Sequence, residues 1–265
     1  MRHRMIRRSG PPAAMAAGVV ALAGCAQGDV PQSTMDPKGE YAQTIFNLSW
    51  PVFLIAGVIG VVVFAIIGVL IVRFRERPGH EETPKQVHGK PTLEIALTVL
   101  PAVLLAAIAV PTVNVLFDIN AEPEDALVVN VTGQQWWWEF DYPTITGDDD
   151  LPLVTANEMV IPAGQQVRLN ITSRDVIHSF WIPRLNGKRD AVPGRVHTWN
   201  MQADQPGEFW GQCTEFCGLS HTNMRMRVIA LTPADFDRWV ELQKANAVSP
   251  DDEAVEAGRA QFSSL

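Results

Sequence analysis

The chain has 265 residues, with 21 Lys and Arg against 29 Asp and Glu, a formal net charge of −8 at pH 7. That balance disfavours a nucleic-acid partner and suits a basic one. Three cysteines are too few for a disulfide framework, and the length suffices for one ordinary domain plus membrane segments.

Residues 1–24 join a basic stretch, MRHRMIRRSG, to a short apolar one, PPAAMAAGVVALAG. This is the layout of a secretory signal, too short for a spanning helix. Leu22-Ala23-Gly24-Cys25 resembles the bacterial lipobox, so Cys25 is the expected lipidated terminus of the mature chain. A conventionally cleaved or uncleaved signal with an incidental cysteine is the alternative. Residues 25–48 are polar and read as an exposed linker or short amphipathic segment.

A transmembrane hairpin is expected over residues 49–118. Val52 to Val72 carries no charge, and a run of that length covers the roughly 30 Å hydrocarbon core. Trp50 sits just outside it, where interfacial aromatics belong. A second apolar run, Ile95 to Leu116, contains Pro101 and Pro111, which membrane helices tolerate. Between the runs lie Arg73, Arg75, Arg77, Lys85 and Lys90, while the outer flanks are acidic (Asp29, Asp36, Glu122, Glu124, Asp125). By the positive-inside rule the connecting loop is cytoplasmic and both chain ends are outside. Glu94, in PTLEIALTVLP, stands at the cytoplasmic mouth of the second helix. An ionisable residue there is either a wet interfacial carboxylate or a functional group.

Residues 119–245 change to short alternating segments: LVVNVTG, EMVIPAG, QVRLNIT, HTWNM, GEFWGQC and MRMRVIAL. Bounded by turn residues, these read as strands of a β sandwich or small barrel, closed by a helix over Pro233–Ala245. The tail, 246–265, is acidic and then helix-like. Gln134 to Phe140 form an aromatic run in which alternation puts Trp136 and Trp138 on one face and Trp137 on the other. Core packing accounts for at least one of these rings.

The densest chemistry lies in Gly211–Met224, GQCTEFCGLSHTNM, with Cys213, Cys217, His221 and Met224 inside twelve residues. A disulfide would leave His221 and Met224 unexplained, and zinc would leave Met224 without a role. Thiolate, imidazole and thioether together select copper. A mononuclear blue-copper site needs one cysteine, so two suggest thiolates bridging two coppers. Each copper then needs a terminal ligand, and His178 in DVIHSFWIP is the candidate second histidine.

Over roughly residues 45–242 the sequence resembles subunit II of the haem–copper cytochrome c oxidases. The resemblance implies a two-helix transmembrane hairpin followed by an all-β cupredoxin-like Greek-key domain. It implies a binuclear copper centre, CuA, held by His178, Cys213, Cys217, His221, Met224 and the carbonyl of Glu215. It places a magnesium ion on the Glu215 carboxylate at the boundary with subunit I. Trp136 becomes the residue that takes up electrons from cytochrome c, and Glu94 the entrance of a proton-uptake path. Trp137 departs from a position that is often tyrosine. Lys188, Arg189, Asp190 and Arg195 resemble the segment facing subunit I. The implied partners are subunits I and III, cytochrome c and membrane lipid, in a bacterial cell membrane with the copper domain outside. Electrons pass to a haem of subunit I, where oxygen is reduced to water with proton translocation.

Glu139, Asp141, Asp148, Asp149, Asp150, Glu158, Asp204 and Glu208 are expected to steer a basic cytochrome. His80, His88 and His197 have no motif context and read as structural or solvent-exposed. EAGRAQF in the tail resembles the opening of c-type cytochrome domains fused to this subunit in some bacteria, and no CxxCH motif occurs. Nitrous oxide reductase shares the copper loop but needs a second large domain. A copper-assembly module would leave Trp136 and Glu94 unexplained, and quinol-oxidase subunit II lacks the copper ligands.

Overall fold

The computed structural model describes residues 30–75, 86, 88–147, 150–245 and 253–263. Cys25 with the rest of the signal segment, Asp29, Arg77, His80, Lys85, Asp148 and Asp149 lie outside the described residues. Two long helices come first, α1 (Glu40–Arg73) and α2 (Pro91–Asn120). At 1.5 Å per residue they measure about 51 and 45 Å, well beyond the roughly 30 Å of a hydrocarbon core. Both run through prolines, Pro51 in α1 and the expected Pro101 and Pro111 in α2.

The excess length of α1 lies at its start, within the stretch read as an exposed linker or short amphipathic segment. Glu40 to Ser49 are helical, with Tyr41 and Ala42 buried. Tyr41, Ala42 and Ile45 make an apolar stripe at helical spacing within a polar stretch. Burial of that stripe against the β domain supplies stabilisation that mean composition does not reveal. The second helix likewise outlasts its apolar run, ending at Asn120 with Ile119 buried.

Ten strands follow: β1 (Leu127–Gln134), β2 (Trp137–Thr146), β3 (Pro152–Ala156), β4 (Glu158–Pro162) and β5 (Val167–Ser173), then β6 (His178–Trp181), β7 (Arg189–Ala191), β8 (His197–Met201), β9 (Gly207–Cys213) and β10 (Arg225–Leu231). They form two five-stranded sheets, ordered β3-β2-β1-β5-β8 and β4-β10-β9-β6-β7. The pairs β1–β5 and β4–β10 are parallel and the other ladders antiparallel. Strict alternation turns Val129 and Val131, Phe140 and Tyr142, and Leu169 and Ile171 inward from the first sheet. Met159, Ile161, Phe180, Phe209 and Val228 meet them from the second. The Tyr142 hydroxyl crosses the core, donating to the Val160 carbonyl at 2.9 Å and accepting from the Val160 N–H at 2.8 Å.

Helix α3 (Pro233–Lys244) is N-capped by Thr232, whose hydroxyl accepts from Asp235 N–H at 3.2 Å. Its Phe236 and Val240 cover Val160. A last helix, α4 (Glu253–Phe262), is formed by the tail.

The hairpin and the β domain are tied at both helix ends. Lys38 N–H donates to the Arg184 carbonyl at 2.7 Å, Asp204 N–H to the Lys38 carbonyl at 2.9 Å, and Ala42 N–H to the Leu185 carbonyl at 3.2 Å. A Cβ added at Gly39 would overlap the Gln202 carbonyl oxygen, so this close approach needs glycine. At the other end Asn200 Nδ2 donates to the carbonyls of Ile119 at 2.9 Å and Ala121 at 2.7 Å.

Candidate metal centre

His178 opens β6 and Cys213 ends β9, two strands that pair antiparallel with Phe180 opposite Cys213. The chain then loops through residues 214–224 and returns as β10. Cys213 N–H donates to the Met224 carbonyl at 2.9 Å and Thr214 N–H to the Ser179 carbonyl at 3.0 Å, which closes the base of the loop onto β6. A 3₁₀ turn over His221–Asn223, with His221 N–H donating to the Gly218 carbonyl at 3.2 Å, folds the histidine back toward the cysteines.

These features bring the sequence-predicted donors together. The two sulfurs lie 3.9 Å apart, and both cysteines are free and buried. Cys213 Sγ is 3.9 Å from His178 Nδ1 and 3.2 Å from the Glu215 carbonyl oxygen. Cys217 Sγ is 3.5 Å from His221 Nδ1 and 3.7 Å from Met224 Sδ. The donor atoms of His178, Cys213 and Cys217 all fall within 4.8 Å of one another. A disulfide sulfur pair sits about 2.0 Å apart, so the observed spacing holds the thiols separate. Soft donors on both sides of a thiol pair fit copper.

His178 and Met224 are fully buried, whereas His221 is half-buried and the Glu215 side chain exposed. Burial, and after it the neighbouring Cys213 thiol, pushes the Cys217 thiol up to about 12. Loading a metal on this cluster therefore releases thiol protons. The site consequently favours a cation with strong thiolate affinity over a hard one.

One member of the site was not singled out in the sequence. Asp175 Oδ1 lies 2.8 Å from His178 Nε2, which turns the imidazole so that Nδ1 faces Cys213. Burial pushes the Asp175 carboxyl up, but hydrogen bonds from His178, Gln135 N–H and Val176 N–H outweigh it and hold it below its ordinary range. A carboxylate behind a metal-ligand histidine is a recurrent arrangement, and its signal was legible as an acid three residues before His178.

The tryptophan run differs from strict alternation. Strand β2 starts only at Trp137, and Trp136 belongs to the turn that joins β1 to β2. Trp138 is fully buried against His178 and Phe180, at centroid distances of 5.9 and 5.3 Å. Trp136 instead lies on the cysteine loop, its Nε1–H donating to the Cys217 carbonyl at 3.2 Å. Trp136 and Trp138 therefore do not share a face, because the strand register begins after the first of them.

Other predicted residues are dispersed. Glu94 is exposed in the first turn of α2, its carboxylate turned back over Gly89. Glu139 pairs with Arg174 at 2.7 Å, and Glu158 and Glu208 both pair with Arg227. Asp190 accepts from the Ser179 hydroxyl at 2.8 Å, Arg189 stacks over Trp199, and Arg195 is exposed. His197 Nδ1 is 2.7 Å from the Asp190 carbonyl, a structural contact, and His88 is exposed.

Comparison with known proteins agrees with this geometry. Residues 32–115 match the transmembrane domain of cytochrome c oxidase subunit II, and residues 146–231 match its periplasmic domain. The chain is 39% identical over 248 residues to cytochrome c oxidase subunit 2 of Alkalihalophilus pseudofirmus, covering 91% of this chain and 70% of that protein. It belongs to the cytochrome c oxidase subunit II family. Quinol oxidase subunit 2 of Bacillus cereus is also similar, 30% identical over 92% of this chain and 85% of that one. Among solved structures, the periplasmic domain of subunit II of cytochrome oxidase from Bradyrhizobium japonicum is 32% identical. It covers 46% of this chain and 96% of that one at a TM-score of 0.43. The chain is thus an oxidase subunit with two transmembrane helices and an extracytoplasmic β domain, and its His, Cys, Cys and Met cluster is consistent with a CuA site.

Proposed function

We propose that the β domain holds a binuclear copper centre and that the chain relays single electrons into the oxidase. The residues that would hold the centre are Cys213 and Cys217 with their thiolates, His178 and His221 with their imidazoles, Met224 with its thioether and Glu215 with its backbone carbonyl. The observation that carries this reading is the pair of buried, unbonded thiols with an imidazole on either side. When bound, the copper pair would supply a one-electron store.

The chain's own residues do the rest. Asp175 orients His178, and the buried strand ends exclude water from both sulfurs. Trp136, half-exposed and hydrogen-bonded to the Cys217 carbonyl, is the contact for a docked c-type cytochrome. Its ring joins the surface to the ligand's own backbone. The electron passes on to a haem of subunit I, where oxygen is reduced to water with proton translocation. Glu94, at the cytoplasmic start of α2, serves the entrance of a proton path. The exposed Glu215 carboxylate is a hard oxygen donor suited to magnesium at the boundary with subunit I. Cys25 carries lipid at the mature N-terminus, and subunits I and III are the membrane partners.

The test is copper loading of the full chain in detergent, with metal analysis and electron paramagnetic resonance. About two coppers per chain, with hyperfine structure from one electron shared by two nuclei, is the expected result. One copper with a single-nucleus pattern, or a Cys213–Cys217 disulfide with no copper, would sink the proposal.

A further inference from the structure

The turn between β1 and β2 supplies no donor atom to the cluster, yet it touches both of its arms. Gln135 Nε2 donates to the Cys217 carbonyl oxygen at 2.7 Å. The same residue's backbone N–H donates to Asp175 Oδ2 at 2.7 Å, and the other oxygen of that carboxylate meets His178 Nε2. One residue thus reaches the cysteine loop with its side chain and the histidine arm with its backbone.

The surroundings are shaped to admit it. Gly218, beside Cys217, has φ of +121°, and a Cβ there would stand 3.0 Å from Gln135 Nε2 and 3.2 Å from the Trp136 ring. The turn therefore lies on the loop backbone with no side chain between them. Gly133, two residues before Gln135, plays the matching part on the other side: a Cβ there would stand 3.0 Å from His178 Cδ2.

We propose that Gln135 is a positioning residue, a brace that keeps the Cys217 loop and the His178 arm in register. The inference rests on the copper reading above and adds a residue that reading does not need. Its physical basis is that one residue's two hydrogen bonds tie the Cys217 end of the loop to the carboxylate behind His178. Phe216 and Leu219, the large apolar side chains flanking Cys217, are 78% and 99% exposed, so apolar burial anchors the loop only through Cys217 and Met224 themselves. Beside the bonds that close the loop's base, the Cys217 carbonyl accepts two hydrogen bonds, from Gln135 and Trp136. Sites that bind metal tightly depend on such outer contacts, whose loss typically costs about 10–100-fold in affinity.

The experiment uses the full chain in detergent with Gln135→Met, which keeps length and volume but removes the donor. Gln135→Asn, which withdraws the amide by one methylene, is the second variant should the first fail to fold. Two readouts are taken: copper release to a chelator with the resonance hyperfine pattern, and the rate at which diamide closes the Cys213–Cys217 disulfide in metal-free protein. The brace predicts copper release about tenfold faster, an altered hyperfine pattern, and thiol closure about fivefold faster. Release and closure rates both within about twofold of wild type in a folded variant would overturn it. If wild-type chain binds no copper pair, the copper reading fails on its own, and the thiol-closure rate still decides the brace.

Discussion

Asn200→Ala should loosen the union of hairpin and β domain. Asn200 is fully buried in β8, and each polar atom of its side chain is used. Nδ2 donates to the Ile119 and Ala121 carbonyls at the end of α2, and Oδ1 accepts from an Arg168 guanidinium N–H at 2.8 Å. Truncation leaves the carbonyl of buried Ile119 unpaired, at about 1–3 kcal/mol, whereas that of exposed Ala121 regains water. Arg168 is half-buried and regains water, so it adds little. The hydrogen bond from Asn186 to the Asn200 backbone carbonyl survives the change. The expected loss is therefore about 1–3 kcal/mol. Urea unfolding of the full chain in detergent micelles, followed by tryptophan fluorescence, measures it. Amide exchange near Asn120 and in β8 should rise together, whereas exchange in β9 and β10 should not. Asn200→Asp should be worse than Ala, since it turns a carboxylate toward two carbonyls. A loss below about 0.5 kcal/mol for Asn200→Ala, with exchange unchanged, would refute the argument that this amide holds the domain to the hairpin.

Four further outcomes are expected. Gly39→Ala should undock the segment before α1, because its Cβ meets the Gln202 carbonyl; new protease cleavage just ahead of Glu40 is the readout. Met224→Leu conserves volume, so metal-free stability should fall by less than about 1.5 kcal/mol, while the copper potential rises or falls measurably; an unchanged potential would remove Met224 from the ligand set. Trp136→Phe should slow reduction by a c-type cytochrome when compared at full copper loading, with copper release somewhat faster because the Nε1–H bond to the Cys217 carbonyl is lost; reduction at the wild-type rate would remove the ring from the electron path. For pH, the hydrogen bond from Lys38 holds the Asp36 carboxyl below its ordinary 3.8, against a small opposing push from burial and aided by Arg184. A depressed carboxyl stabilises above its unfolded value, and that contribution disappears as pH falls through the folded one. Docking of the segment should therefore weaken only below about pH 4, by a small amount because the pair is exposed, and cleavage ahead of Glu40 at low pH is the check.

The sequence by itself determined whatever depends on local chemistry and short-range pattern. The uncharged run from Val52 had to be a membrane helix, since its length matches the bilayer and no charge interrupts it. The alternating segments from Leu127 had to be strands with one buried face. The donors Cys213, Cys217, His221 and Met224 were legible because one loop carries them all, and His178 because the donor set lacked a second imidazole. Tertiary structure decided what depends on partners distant in sequence. Glu40 to Ser49 are helical because Tyr41 and Ala42 find the β domain, a contact that composition cannot announce. Trp136 parts from Trp138 because the turn before β2 is laid on the cysteine loop more than eighty residues further along. Asp175, Gln135 and Asn200 are ordinary polar residues in the sequence. Each matters through hydrogen bonds that exist only once the sheets and helices have been brought together, because a side-chain amide or carboxylate acquires its role from the group it faces.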